Sequence, residues 1–142
     1  MHTTVEMVHK DDVEHTIELM YHTLLSLDVT PNLFQAAEAR GIRVQHLPIV
    51  DVNVPTEAQW ADVKAVVHLV REHLNNGHNV VVHCRGGRGR TGTIVSLVLT
   101  TYGHAAHEAI ALTRQAQPGA LETQEQAEYV RRAAERLTRE RT

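Results

Sequence analysis

Apolar and polar positions follow two rhythms along this chain, and the switches between them outline its elements. After Thr56 the apolar side chains recur at Trp60, Val63, Val66, Val67 and Val70, the spacing of one helix face, with Thr56 as a natural cap. That spacing predicts a long helix ending near the Asn75-Asn76-Gly77 turn. Asn79 to Val82 then form a short β-branched run, the pattern of a buried strand. Helical spacing returns from Thr91, at Ile94, Val95, Val98 and Leu99. Upstream, Tyr21 to Leu27 and Ile42 to Leu47 read as strands, separated by a helix that Pro31 opens and Gly41 stops after Arg40. Downstream, a helix from about His104 to Gln115, a Pro118-Gly119 break and a charged helix from Glu122 complete the chain. At the start, Thr3 to Val8 alternates like an edge strand, and Asp11 or Asp12 can cap a helix carrying Val13, Ile17 and Met20. Strands alternating with helices predict an α/β fold with a mostly parallel sheet of four to five strands, flanked by helices on both faces.

With 142 residues, the chain reads as one domain over 1–142, large enough to bury a core without staples. Hydrophobic residues make up 42% and charged residues 22%, which excludes a disordered chain. A net charge of −3 gives no global basic field to recruit nucleic acid or membranes, so any anion affinity must be local. The single cysteine excludes an intramolecular disulfide framework and suits a reducing compartment. No signal-peptide pattern or long apolar run is present, and the expectation is a soluble, cytoplasmic monomer without a membrane anchor.

Chemistry concentrates between the Asn79 strand and the Thr91 helix, in His83-Cys84-Arg85-Gly86-Gly87-Arg88-Gly89-Arg90-Thr91. Gly86, Gly87 and Gly89 let the backbone curl so that successive N–H groups face one concavity. Such a nest at a helix N-terminus attracts anions, and the same field favours a thiolate at Cys84. Arg90 adds a planar fork that can bind two phosphate oxygens at once. Three arginines around a lone cysteine make a poor core, and the lysine of a Walker-type nucleotide loop is absent. Thr91 can cap the helix that follows. His83 can orient the loop through backbone hydrogen bonds or can simply fill space at a strand end.

A carboxyl group at a strand end beside such a loop is a candidate for proton transfer. Asp51 lies just past the Ile42–Leu47 strand on a loop stiffened by Pro48 and Pro55, and parallel sheets bind ligands at the carboxyl ends of their strands. Local sequence alone favours Asp51 as a turn or helix-capping residue; Asp28 and Asp62 are weaker rivals for the acid. The eleven histidines include close pairs at His15 and His22, His68 and His73, and His104 and His107. None forms an HExxH motif or joins a cysteine at zinc-finger spacing, so neither a metal nor an organic cofactor is expected.

The motif His83-Cys84-x5-Arg90-Thr91, in its strand–loop–helix context, resembles the signature loop of the cysteine-dependent protein tyrosine and dual-specificity phosphatases. Thr23-Leu24-Leu25-Ser26-Leu27 with Pro31-Asn32-Leu33 and Gly41-Ile42 is similar to the small dual-specificity-type branch. So are His46 to Pro55, which resemble its general-acid loop, and Pro118 to Thr123, which resemble the segment before its last helix. The resemblance implies a phosphomonoester hydrolase with Cys84 as nucleophile and Arg85 to Arg90 as the phosphate cradle. It also implies Asp51 as general acid and a Thr91 hydroxyl bonded to the departing sulfur. Gln126, with Glu122 and Gln124, lies where some relatives position the hydrolytic water, although a solvated helix face is the simpler reading. A phosphorylated protein or small phosphomonoester is the expected substrate. Arg85 and Arg88 keep a phosphoinositide or inositol phosphate substrate open. A phosphate-binding pseudophosphatase and a rhodanese-type sulfurtransferase stay open as well; the loop of the latter resembles Cys-x4-Arg, one residue shorter than the spacing here.

Overall fold

In the computed structural model the described residues are 23–27 and 31–141. Three strands, β1 (Thr23–Ser26), β2 (Arg43–His46) and β3 (Val80–His83), form a parallel sheet in the order β2-β1-β3. The helices are α1 (Pro31–Ala39), α2 (Trp60–Asn75), α3 (Gly89–Thr101), α4 (Ala106–Ala116) and α5 (Gln124–Arg141). The α/β class and the parallel sheet agree with the sequence pattern, but the described sheet has three strands rather than four to five. The edge strand expected at Thr3 to Val8, the helix expected after Asp11 or Asp12, and His15, His22 and Asp28 lie outside the described residues.

Strand alternation sends side chains to two cores. Val81 joins Ala37 and Ile42 beneath α1, whereas Val80, Val82 and Leu25 join the larger core built with α2, α3 and α5. The stripe Trp60, Val63, Val66, Val67 and Val70 is buried, as its periodicity predicts. Thr56 does not start that helix directly. It caps a single 3₁₀ turn, Glu57–Gln59, and Gln59 Oε1 accepts the Thr56 N–H at 3.0 Å before α2 begins at Trp60.

Helix α3 is buried almost all round, which marks it as the central helix. Its buried hydroxyls are internally satisfied: Thr93 donates to Gly89 O at 2.8 Å, and the Ser96 and Thr113 hydroxyls meet at 2.9 Å. A Leu97→Ala cavity in this helix, at a fully buried position, would cost about 2–5 kcal/mol. At the other end of the core, α5 is clamped to α2. Arg136 stacks 4.4 Å from the Trp60 ring centroid, and Glu140 accepts from Trp60 Nε1 at 3.1 Å and from Lys64 Nζ at 2.8 Å.

Register brings the site together. Ser26 pairs with His46 on one side and His83 on the other, so the carboxyl ends of all three strands lie level. Beyond them the ladder continues through Leu27 N–H to His83 O at 2.9 Å, Leu47 N–H to Ser26 O at 2.8 Å and Ile49 N–H to Leu27 O at 3.3 Å. The segment carrying Asp51 and the loop carrying Cys84 therefore leave the same edge, as expected for a ligand site in a parallel sheet.

Candidate active site

Cys84 is buried at the mouth of the loop between β3 and α3. The Thr91 hydroxyl donates to its sulfur at 3.0 Å. Thr91 is not the cap of α3 that its residue type suggests: the helix starts at Gly89 with Arg88 in the cap position, so Thr91 lies inside the first turn. Its hydroxyl is thereby spared from backbone capping and turned to Cys84. His83 also serves the loop: its Nδ1 lies 3.1 Å from Cys84 O, while its own carbonyl accepts from Leu27.

The loop curls through Gly87, whose φ of 68° lies in the left-handed region that glycine adopts without strain. Gly89 is required for a different reason. A Cβ there would lie 2.8 Å from Gln126 Nε2 and 2.8 Å from Glu122 Oε1, so only glycine lets α5 approach this closely. Glu122 Oε1 accepts the Gly89 N–H at 3.0 Å. A carboxylate oxygen on a first-turn amide illustrates the anion preference of this helix end. It also means that one of the amides expected to cradle phosphate is already engaged.

Arg90 is 3% exposed, and a buried cation needs partners. Its Nη1 donates to Ile49 O at 2.9 Å and Leu27 O at 3.3 Å, while Nη2 lies 3.2 Å from Asp51 Oδ1. Two backbone carbonyls from the ends of neighbouring strands thus hold the guanidinium plane in place, which a single lysine ammonium could not reproduce. Asp51 itself is 62% exposed and sits on the loop after β2, facing the arginine of the Cys84 loop. Of its rivals, Asp62 lies exposed in the first turn of α2.

Gln126 is not on a solvated helix face. It is fully buried, its Nε2 donates to Asn53 O at 3.3 Å, and its Oε1 accepts the Thr123 N–H at 3.2 Å. Thr123 Oγ1 in turn accepts the Gln126 N–H at 3.1 Å, so the start of α5 is locked around this side chain. Gln126 therefore spans the loop that carries Asp51, the Cys84 loop and α5. Arg85 and Arg88 are exposed, and neither pairs with Glu57 or Glu122 among the described residues: Glu57 binds Arg136 and Glu122 binds Gly89.

Sequence patterns do not reveal the carbonyls of Leu27, Ile49 and Asn53, because a backbone acceptor leaves no residue-type signal. They group Glu122 with Gln126, but no local pattern points its carboxylate at Gly89. Among the described residues no group of three or more His, Cys, Asp and Glu side chains is placed to hold a metal ion. His73 and His78 approach each other at 3.2 Å, and His104 lies 3.8 Å from Glu108. No helix among the described residues is long and apolar enough to cross a membrane.

Comparisons with known proteins identify the family and the fold. A family model described as a Swiss Army Knife protein, DSP-PTPase phosphatase domain, matches residues 3–139. The uncharacterized protein MJECL20 of Methanocaldococcus jannaschii is 36% identical over 86 residues, 60% of this chain and 55% of that protein. The tyrosine-protein phosphatase CDC14 of Saccharomyces cerevisiae is 30% identical over 98 residues, 67% of this chain and 17% of that protein. The chain thus spans about half the length of the first relative and under a fifth of the second. The crystal structure of Tk-PTP in the active form superposes with a TM-score of 0.79 at 29% identity, over 92% of this chain and 89% of that one.

Proposed function

The chain belongs to the family of DSP-PTPase phosphatase domains, and from that premise we propose that it hydrolyses phosphomonoesters through a phosphocysteine formed on Cys84. The observation that supports this most is the assembly of a buried Cys84 sulfur, a hydroxyl bonded to it and a backbone-anchored arginine around one glycine-rich loop.

Each group has a role. The Cys84 thiolate attacks phosphorus in line, forming the S–P bond as the bond to the leaving oxygen breaks. Arg90 and the loop amides other than that of Gly89 hold the equatorial oxygens, and their fixed dipoles supply the electrostatic stabilisation. Asp51 donates a proton to the leaving oxygen. Water then attacks the phosphocysteine, Asp51 takes the proton back, and the S–P bond breaks to release phosphate and the thiolate. Thr91 stabilises that thiolate by its hydrogen bond to sulfur.

A phosphorylated protein is the substrate we favour. Exposed Arg85 and Arg88 at the loop, without carboxylate partners among the described residues, support a second reading in which the substrate carries more than one phosphate. Turnover of an aryl phosphate by the wild type and its loss in Cys84→Ser, with phosphate binding retained, is the test of the main reading. Retained turnover in the serine variant would refute it. For the second reading, Arg88→Leu is expected to lower kcat/KM selectively on a multiply phosphorylated substrate; equal losses on singly and multiply phosphorylated substrates would dismiss it.

A further inference from the structure

Two residues other than glycine adopt a left-handed backbone among the described residues, Leu121 at φ 54° and Val52 at φ 56°. Leu121 has an evident reason: it is buried, and its N–H reaches Arg88 O at 3.2 Å to dock the segment before α5 against the Cys84 loop. Val52 has no such burial. It is 53% exposed, and its neighbour Val50 is 71% exposed, which makes the pair the two most exposed large hydrophobic residues described. They stand on either side of Asp51 in a tight turn closed by Asn53 N–H to Val50 O at 3.0 Å. The Val52 N–H donates to Asp51 Oδ1 at 2.9 Å, and Asn53 Nδ2 donates to Asp51 O at 3.2 Å.

A left-handed second corner of a turn suits glycine or asparagine and disfavours a β-branched side chain. Here such a side chain is held in that conformation and in water at once, which makes function a better account than packing. The place indicates which function. Asp51 must reach the leaving oxygen, so the group attached to that oxygen emerges beside the residues flanking Asp51. We propose that Val50 and Val52 form an apolar lip that selects phosphate esters whose leaving group carries an apolar face, such as an aryl ring or alkyl chain, over esters of hydroxyl-rich alcohols. The inference rests on the phosphatase reading and on Asp51 as its acid. Covering one or two methylene-sized areas of the leaving group corresponds to roughly a three- to tenfold preference.

The test compares two phenyl phosphates of nearly equal leaving-group acidity, one with a para-alkyl chain and one with a para-hydroxyalkyl chain of the same length. The wild type is expected to favour the alkyl ester in kcat/KM by about three- to tenfold. Val52→Thr keeps the shape and the branching while removing apolarity, and Val52→Asn suits the left-handed corner, so its Tm should not fall below that of the wild type. In both variants, and in Val50→Thr, the preference should collapse toward unity. Equal losses on both esters, a preference that survives in all three variants, or no preference in the wild type would overturn the lip. Failure of the wild type to turn over either ester would overturn the phosphatase reading itself, and the lip with it.

Discussion

Replacing Gln126 with leucine should separate two roles for this side chain. Leucine is close in size and restores the burial, so the loss is confined to hydrogen bonds: Nε2 to Asn53 O and Thr123 N–H to Oε1. At about 1 kcal/mol each, these contribute roughly 2 kcal/mol to stability. For a chain of 142 residues that corresponds to a Tm fall of about 6–10 °C. The kinetic consequence follows from the Asn53 contact, which ties the acid loop to α5. Loss of about 1 kcal/mol of anchoring lowers the fraction of molecules with Asp51 correctly placed by up to about fivefold. With Asp51 as the proposed acid, the effect is confined to leaving groups that need a proton, so kcat/KM should fall by about that factor for poor leaving groups and hardly at all for good ones. The assay is kcat/KM across aryl phosphates of graded leaving-group acidity, where Gln126→Leu should steepen the dependence. The same substitution should add no further steepening in an Asp51→Asn background. A residue that only positions the hydrolytic water would instead lower kcat, raise the burst of released phenol and leave kcat/KM unchanged. That second pattern would refute the loop-anchoring argument.

Asp51→Asn is expected to lower kcat/KM by roughly 10²–10⁴-fold on poor leaving groups and far less on good ones, with Asp62→Asn unchanged as the control. The Lys64 ammonium, with Arg136 and Trp60 donating as well, holds the Glu140 carboxyl down at about 2, against 4.5 ordinarily. Its folded value is depressed, so the stabilisation is present above about pH 4.5 and is lost as pH falls toward 2. Thermal melts should therefore show Glu140→Gln less stable than the wild type at pH 7, with the gap closing over that acid window. Tyr129 is pushed the other way, up to about 12, by burial and then by Glu57. Its raised value means that its contribution is complete below pH 10 and is lost as pH rises toward 12. The Tyr129 hydroxyl has no hydrogen-bond partner among the described residues, so Tyr129→Phe should be neutral to slightly stabilising at pH 7, by up to about 1 kcal/mol, and should blunt the alkaline loss.

Much of the architecture is legible in the sequence because it is periodic. The valine stripe of α2 and the Asn79–Val82 run each carry a hydrophobic rhythm, and the stripe and Val80 to Val82 are buried where that rhythm places them, while Asn79 stays exposed before the strand. Helix α3 begins two residues before Thr91, on a glycine with an arginine at its cap, and neither is a side-chain capping signal. Residue type and spacing point to Cys84 and Arg90, since a glycine-rich loop between strand and helix leaves few choices. For Thr91 they suggest only a cap, and its bond to sulfur is implied by the family resemblance alone. Gln126 is harder. A glutamine among charged residues near a helix start reads as surface, and only the close approach allowed by Gly89 turns it inward. The anchors of Arg90 are backbone carbonyls, which tertiary structure chooses and sequence does not encode locally. The left-handed Val52 runs against its own propensity, so no residue-type signal in the sequence foretells that conformation.

The central claim is that the phosphoryl group passes through Cys84. Enzyme mixed with an aryl phosphate, quenched in acid within the first turnovers and digested should yield one Cys84-containing peptide heavier by one phosphoryl group. The label should appear as fast as phenol is released, and it should be absent from Cys84→Ser. Steady turnover with no phosphoryl group on Cys84, or undiminished turnover by the serine variant, would contradict the account.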